Sequence, residues 1–205
     1  ARDLVASGLI GTVQVIKLYR CINYCRRNDW MTMTEFYGGL LSNWGPHLID
    51  QALMFLDSPV VDVWADVRNV ISIGDGDDFF KLLLKAENGR VADIEVTGAN
   101  TMAGREMEII GTRGTMVYNG GKFIEARYID PSLKLKKLKP HPENPPLAYG
   151  NFEERLSFVE SKFDVPPDEA AMLYWTGVYD QIVSGVPFPV TYEQSLNTVT
   201  VTEKA

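Results

Sequence analysis

The sequence predicts an α+β domain, a large and predominantly antiparallel sheet with helices packed on one face, from three observations. Residues 60–128 form a run of β-rich segments. Short joints containing Gly, Asp or Asn separate them, which makes consecutive strands antiparallel. Helical patterns precede this run and follow it.

In chain order, Arg2 to Ser7 has the character of a final helical turn, stopped at Gly8. Thr12 to Tyr24 alternates and is rich in β-formers, predicting a first strand, and a polar, aromatic loop follows from Arg26 to Tyr37. Gly38 and Gly39 open a helix that runs to Leu56, with Pro46 either in its first turn or at a kink because it has no amide proton. Strands are then expected at Val60 to Ile71, Phe79 to Glu87, Arg90 to Gly98, Glu106 to Gly111, Thr115 to Tyr118 and Lys122 to Tyr128. Asn88-Gly89 is a two-residue hairpin signal, and Gly74 to Asp77 and Gly111 to Gly114 are further turns. Lys134, Lys136, Lys137 and Lys139 alternate with leucines before a Pro-rich stretch, which reads as a solvated edge strand entering a linker. Asp168 to Ser184 and Thr191 to Thr202 are the closing helices, divided by Gly185, Pro187 and Pro189.

The 205 residues, 45% of them hydrophobic, suffice for a real core. A net charge of -7 argues against a nucleic-acid surface, which normally needs a basic face. No apolar run reaches the length that spans a bilayer. A small-molecule or protein partner is expected instead, with no nucleic acid and no membrane. Cys21 and Cys25 fall on one face of the predicted strand, about 13 Å apart by strand rise, which is too far for a disulfide. With His47 they lack the close ligand pair of a metal site, so no metal is expected. Asp75, Asp77 and Asp78 lack the distal glutamate of a calcium loop and read as a plain turn.

The stretch Asn43-Trp44-Gly45-Pro46-His47-Leu48-Ile49-Asp50 concentrates the chemistry. At about 100° per residue, Asn43, His47 and Asp50 share one narrow helical face. Leu48, Ile49, Ala52, Leu53, Phe55 and Leu56 cover the opposite arc and face a core. Alone, this pattern reads first as a buried histidine held by an aspartate one turn on and only second as a catalytic one.

Gly38, Gly39, Asn43, Gly45, His47 and Asp50, then Ile110, Gly111, Thr112, Gly114 and Thr115, then Gly185, Pro187, Pro189, Val190 and Thr191, occur in an order that resembles the C-terminal domain of the glucose-fructose oxidoreductase, inositol dehydrogenase and rhizopine-catabolism (Gfo/Idh/MocA) family. The resemblance covers essentially the whole chain. It implies a single C-terminal domain, residues 1–205, for substrate binding and oligomerisation, belonging to an enzyme whose N-terminal Rossmann domain binds NAD or NADP. No Gly-x-Gly-x-x-Gly follows a strand here, so the chain is expected to be a fragment that is inactive in isolation.

The resemblance further implies dehydrogenation of a sugar or polyol hydroxyl, with His47 as general acid/base and Asn43 beside it. Many members carry an aspartate at the Asn43 position. An amide orients a neighbour or binds a hydroxyl, but it takes up no proton. Asp50 is expected to replace part of that charge. Arg26, Arg27, Asn28, Asp29 and Trp30 of the loop are candidates for substrate contact, as are Tyr149 and Asn151. His141, between two prolines, is read as exposed and structural. Two alternatives stay open: an NAD-dependent glycoside-cleaving or eliminating enzyme of the same family, and a non-catalytic, dimerising sugar-binding module. A homodimer or tetramer through the open sheet and a cytoplasmic location are expected.

Overall fold

The computed structural model describes residues 1–137, 139, 156–166 and 170–205. The elements are α1 (Arg2–Ala6), β1 (Val13–Cys21), two short 3-10 turns (Trp30–Thr32 and Thr34–Phe36), α2 (Leu40–Asn43), α3 (Gly45–Leu56), β2 (Val60–Arg68), β3 (Phe79–Ala86), β4 (Val91–Thr97), β5 (Met107–Gly111), β6 (Gly114–Tyr118), β7 (Phe123–Ile129), β8 (Phe158–Asp164), α4 (Ala170–Ser184) and α5 (Tyr192–Lys204). Among the described residues the strands form one sheet in the order β2-β3-β4-β1-β5-β6-β7-β8. Every neighbouring pair is antiparallel except β1 with β4, which run parallel from Val15↔Val91 to Cys21↔Thr97.

That parallel pair departs from the expectation that hairpins alone build the sheet. β2-β3-β4 and β5-β6-β7 are meanders of consecutive antiparallel strands, β8 pairs antiparallel with β7 at the edge, and β1 lies between the two meanders. Two further corrections concern boundaries. The first strand ends at Cys21, so Cys25 lies beyond it in the loop, and both thiols are free. Residues 131–137 form no strand; the edge is β8, whose Phe-Val-Glu-Ser-Lys-Phe-Asp alternation went unread in the sequence. The rest of the lysine- and proline-rich expectation lies outside the described residues, as does His141.

One sheet face is the core. Ile16, Leu82, Leu84, Ile94, Ile109 and Met116 are fully buried there beside Leu48, Ile49, Ala52 and Leu56 of α3. The apolar arc predicted for that helix therefore packs as expected. Burial of each such side chain stabilises by roughly 1.5–3 kcal/mol before ordering costs are set against it. α5 packs on α3 and β2, and its start is closed by a reciprocal cap. Gln194 N donates to Thr191 Oγ1 at 3.2 Å, and Thr191 N donates to Gln194 Oε1 at 2.8 Å.

The opposite face is open and charged. Pairing register places Trp64, Leu83, Asp93, Lys17, Glu108, Val117, Glu125 and Lys162 in one row across all eight strands. Opposite charges meet along it: Lys81 bridges Asp93 and Glu95 at 2.9 and 3.1 Å, Lys17 meets Glu108 at 3.1 Å, and Lys162 meets Glu125 at 2.7 Å. No helix among the described residues is long and apolar enough to cross a membrane. α4 is unusually apolar at its surface, with Met172, Trp175, Tyr179 and Ile182 all more than 60% exposed.

Candidate active site

The helix expected from Gly39 to Leu56 is two helices. Pro46 has no N–H to give the carbonyl one turn back, and its ring crowds that carbonyl, so regular bonding lapses at Trp44 although Trp44 keeps right-handed helical dihedrals. Asn43 ends α2, while His47 and Asp50 belong to α3. The three residues therefore do not sit on one continuous helix.

A far loop positions α2. Gly39, with φ +117°, offers no side chain to cap the helix, and Asp77 supplies the missing acceptor: Leu41 N donates to its Oδ2 at 2.8 Å. Burial holds the Asp77 carboxyl above its ordinary pKa, against the opposing pull of these amides. Its neighbours in the acidic turn do similar work. Asp75 accepts from Thr34 N at 2.8 Å and from the Thr34 hydroxyl, while Asp78 accepts from Val70 N and Ile71 N at 2.6 and 2.8 Å. The acidic turn thus fastens the loops around the site.

A small cleft of about 50 Å³ opens between these loops, lined by Arg27, Met31, Leu40, Asn43, Trp44 and Asp77 among others. The Met31 thioether faces both Asn43 Nδ2 at 3.8 Å and Arg27 Nη2 at 2.9 Å. Arg27 is tied to Asp29 by two bonds, at 2.7 and 3.1 Å, and that pairing holds Asp29 below its ordinary pKa. Asp29 also caps the first 3-10 turn through Met31 N at 3.1 Å, which makes it a structural rather than a ligand-facing residue.

His47 does not line the cleft. It is exposed, and its ring lies 6.2 Å from that of Trp44 at 68°, edge to face. Trp44 is the link, since it lines the cleft and touches His47. Of the loop candidates, Arg27 alone reaches the cleft; Arg26, Asn28 and Trp30 are exposed outside it, and Asp50 is half-buried on α3 away from it. Tyr149 and Asn151 lie outside the described residues.

Sequence reasoning passed over Trp44, Met31 and Asp77. An indole beside the histidine was the available signal for the first. For the acidic residue, the close approach of two segments 36 positions apart leaves no local trace.

The pyrophosphate of a dinucleotide needs a strand, a glycine turn and a helix N-terminus in sequence. β1 leads instead to an irregular loop with 3-10 turns. The described residues do not fit that group.

The profile of the GFO/IDH/MocA C-terminal domain matches residues 1–117, more than half of the chain. The chain belongs to this family. None of the curated proteins matches the sequence. Among solved structures, the fold is similar to an NAD-binding protein from Listeria innocua, with TM-score 0.75, 21% identity, and coverage of 98% of this chain and 58% of that one. It is also similar to an oxidoreductase from Bacillus cereus, with TM-score 0.72, 16% identity, and coverage of 99% and 57%. A protein from Desulfitobacterium hafniense, named for a proposed NADPH-dependent oxidoreductase activity, gives TM-score 0.74, 17% identity, and coverage of 100% and 56%. The chain therefore spans little more than half the length of the structures it matches.

Proposed function

We propose that this chain is the substrate-side and oligomerisation domain of an NAD(P)-dependent oxidoreductase acting on a sugar or polyol hydroxyl, with His47 as general acid/base. The observation that carries the reading is the Trp44 bridge: an exposed imidazole stands beside a cleft that presents an amide and a guanidinium. Asn43 and Arg27 supply hydroxyl-binding groups, and Trp44 supplies an aromatic surface for a sugar ring. Imidazole suits the proton transfer because its intrinsic titration lies near neutrality. A nicotinamide coenzyme supplies hydride acceptance when bound, and residues outside this chain would hold it. The apolar surface of α4 supports this division, being the kind of face that a second domain covers.

The test has two arms. Saturation-transfer NMR on the chain with a panel of sugars and polyols should show contact that Asn43→Ala weakens. Joined to a nicotinamide-binding domain, the chain should turn over one of these, and His47→Ala should lower the rate by at least roughly a hundredfold. An unchanged rate sinks the role of His47.

The open face favours a second reading, a non-catalytic dimerising module with a sugar pocket. Trp64 and Leu83 are 51% and 38% exposed on that face, beside a ladder of paired charges. Binding of a sugar without turnover in the joined protein would favour it.

A further inference from the structure

We propose that Trp44 is the positioning residue of the His47 imidazole, and that the Arg20–Glu106 ion pair holds Trp44; this rests on the reading of His47 as the proton-transfer group. Arg20 leaves β1 on the same face as Ile16 and Leu18, beneath the helices. Its Nη1 meets the Glu106 carboxylate at 2.8 Å, and its guanidinium carbon lies 5.4 Å from the centre of the Trp44 ring. Its Nε is buried with no hydrogen-bond partner.

An unpaired buried N–H is costly and calls for an explanation. Here the guanidinium is committed twice over, to the Glu106 carboxylate through Nη1 and to the Trp44 ring by cation–π contact, and two such contacts restrain the group. The indole so fixed presents its other contact to the His47 ring. Among the described residues no hydrogen bond restrains either His47 nitrogen. Toward the described residues the ring contact with Trp44 is what restrains the imidazole, and it does so laterally. A base must hold its lone pair in a constant direction, which gives such a contact its value.

Simple packing makes a different demand, since any side chain of suitable volume would then serve. Aromatic carbon-proton NMR spectra of the intact chain separate the two, with His47 signals assigned through His47→Gln. The wild-type chain and Arg20→Lys, which keeps the cation, should both show Trp44–His47 cross-peaks and a His47 shift displaced by the indole ring current. Arg20→Met, which keeps only the apolar stem, should lose both while still unfolding cooperatively. Wild-type signals in Arg20→Met would overturn the role of the ion pair, and unmoved His47 signals in Trp44→Leu would overturn the role of Trp44. If Trp44→Leu fails to fold, the Met and Lys variants at position 20 decide alone. These readouts need no turnover: a His47→Gln enzyme with full activity would refute the chemical role and leave the geometry standing.

Discussion

Asp77 accepts the backbone amide of Leu41 at 2.8 Å, so a carboxylate from the β2–β3 connection caps the short helix that delivers Asn43 to the cleft. Asp77→Ala should lower stability by about 1 kcal/mol, the usual value of a cap, and should loosen the cleft. Urea denaturation measures the first effect, and the Asn43 amide signals report the second.

The raised Asp77 pKa predicts a pH dependence of definite sign. In the unfolded chain this group ionises at the ordinary carboxylate value; in the fold it ionises at higher pH. The unfolded state therefore releases its proton first as pH rises, and the group's contribution to stability falls through that interval and stays reduced above it. Asp77→Asn lacks this loss, so its stability relative to wild type should improve as pH rises from the ordinary carboxylate pKa through the raised one. The exposed Asp29 and Asp75 and the half-buried Asp130 have lowered pKa values, and their contributions vanish instead as pH falls. A relative stability that does not change with pH would refute the assignment to Asp77.

Gly39 combines a left-handed backbone with close approach to Asp77, whose carboxylate a Cβ would strike. Gly39→Ala should destabilise by more than the roughly 1 kcal/mol of a conformational penalty alone. Thermal unfolding of this variant in the Asp77→Ala background should recover part of the loss, because the clash is then removed.

The far end of α3 depends on the β3–β4 hairpin. Asn88 Nδ2 donates to Leu56 O at 2.8 Å, and Arg90 Nη1 donates to Phe55 O at 2.8 Å, which places a cation at the negative end of the helix. Arg90→Met should cost about 1–2 kcal/mol. Hydrogen exchange should locate the loss in the last turn of α3 and leave α5 unaffected.

The open sheet face predicts self-association. Sedimentation at tens of micromolar should give a dimer, and Trp64→Lys should shift it toward monomer. A monomer at every concentration would exclude this face as the interface.

Strand existence was legible because alternation and turn chemistry are local. A tight turn forms at Asn88-Gly89, but as a three-residue loop, Glu87 to Gly89, rather than the expected two-residue hairpin: Gly89 N donates to Ala86 O, Ala86 N donates to Arg90 O, and Gly89 alone takes a positive φ of +91°. The core arc of α3 was equally legible, since helical period alone separates Ile49 and Ala52 from His47. What escaped is non-local. The parallel pairing of β1 with β4 joins segments some 76 positions apart, as in Val15↔Val91. The cleft likewise depends on Asp77 reaching Leu41 and on Trp44 standing between Asn43 and His47. Of the two placements the sequence allows for Pro46, the structure has the first turn of a helix, α3, with the break just before it.

The position of β1 between two meanders also bears on how the molecule forms. Within β2-β3-β4 and β5-β6-β7 each strand pairs with the next in the chain, whereas β1 precedes these strands and meets its neighbours only when β4 and then β5 exist. Until then its Val13, Ile16 and Leu18 lie on a strand with two unpaired edges. Closure by β1 is thus the step of highest sequence separation, the kind that slows folding and prolongs exposure to aggregation. A nascent chain is competent to bury its own centre only once residues through Gly111 have emerged.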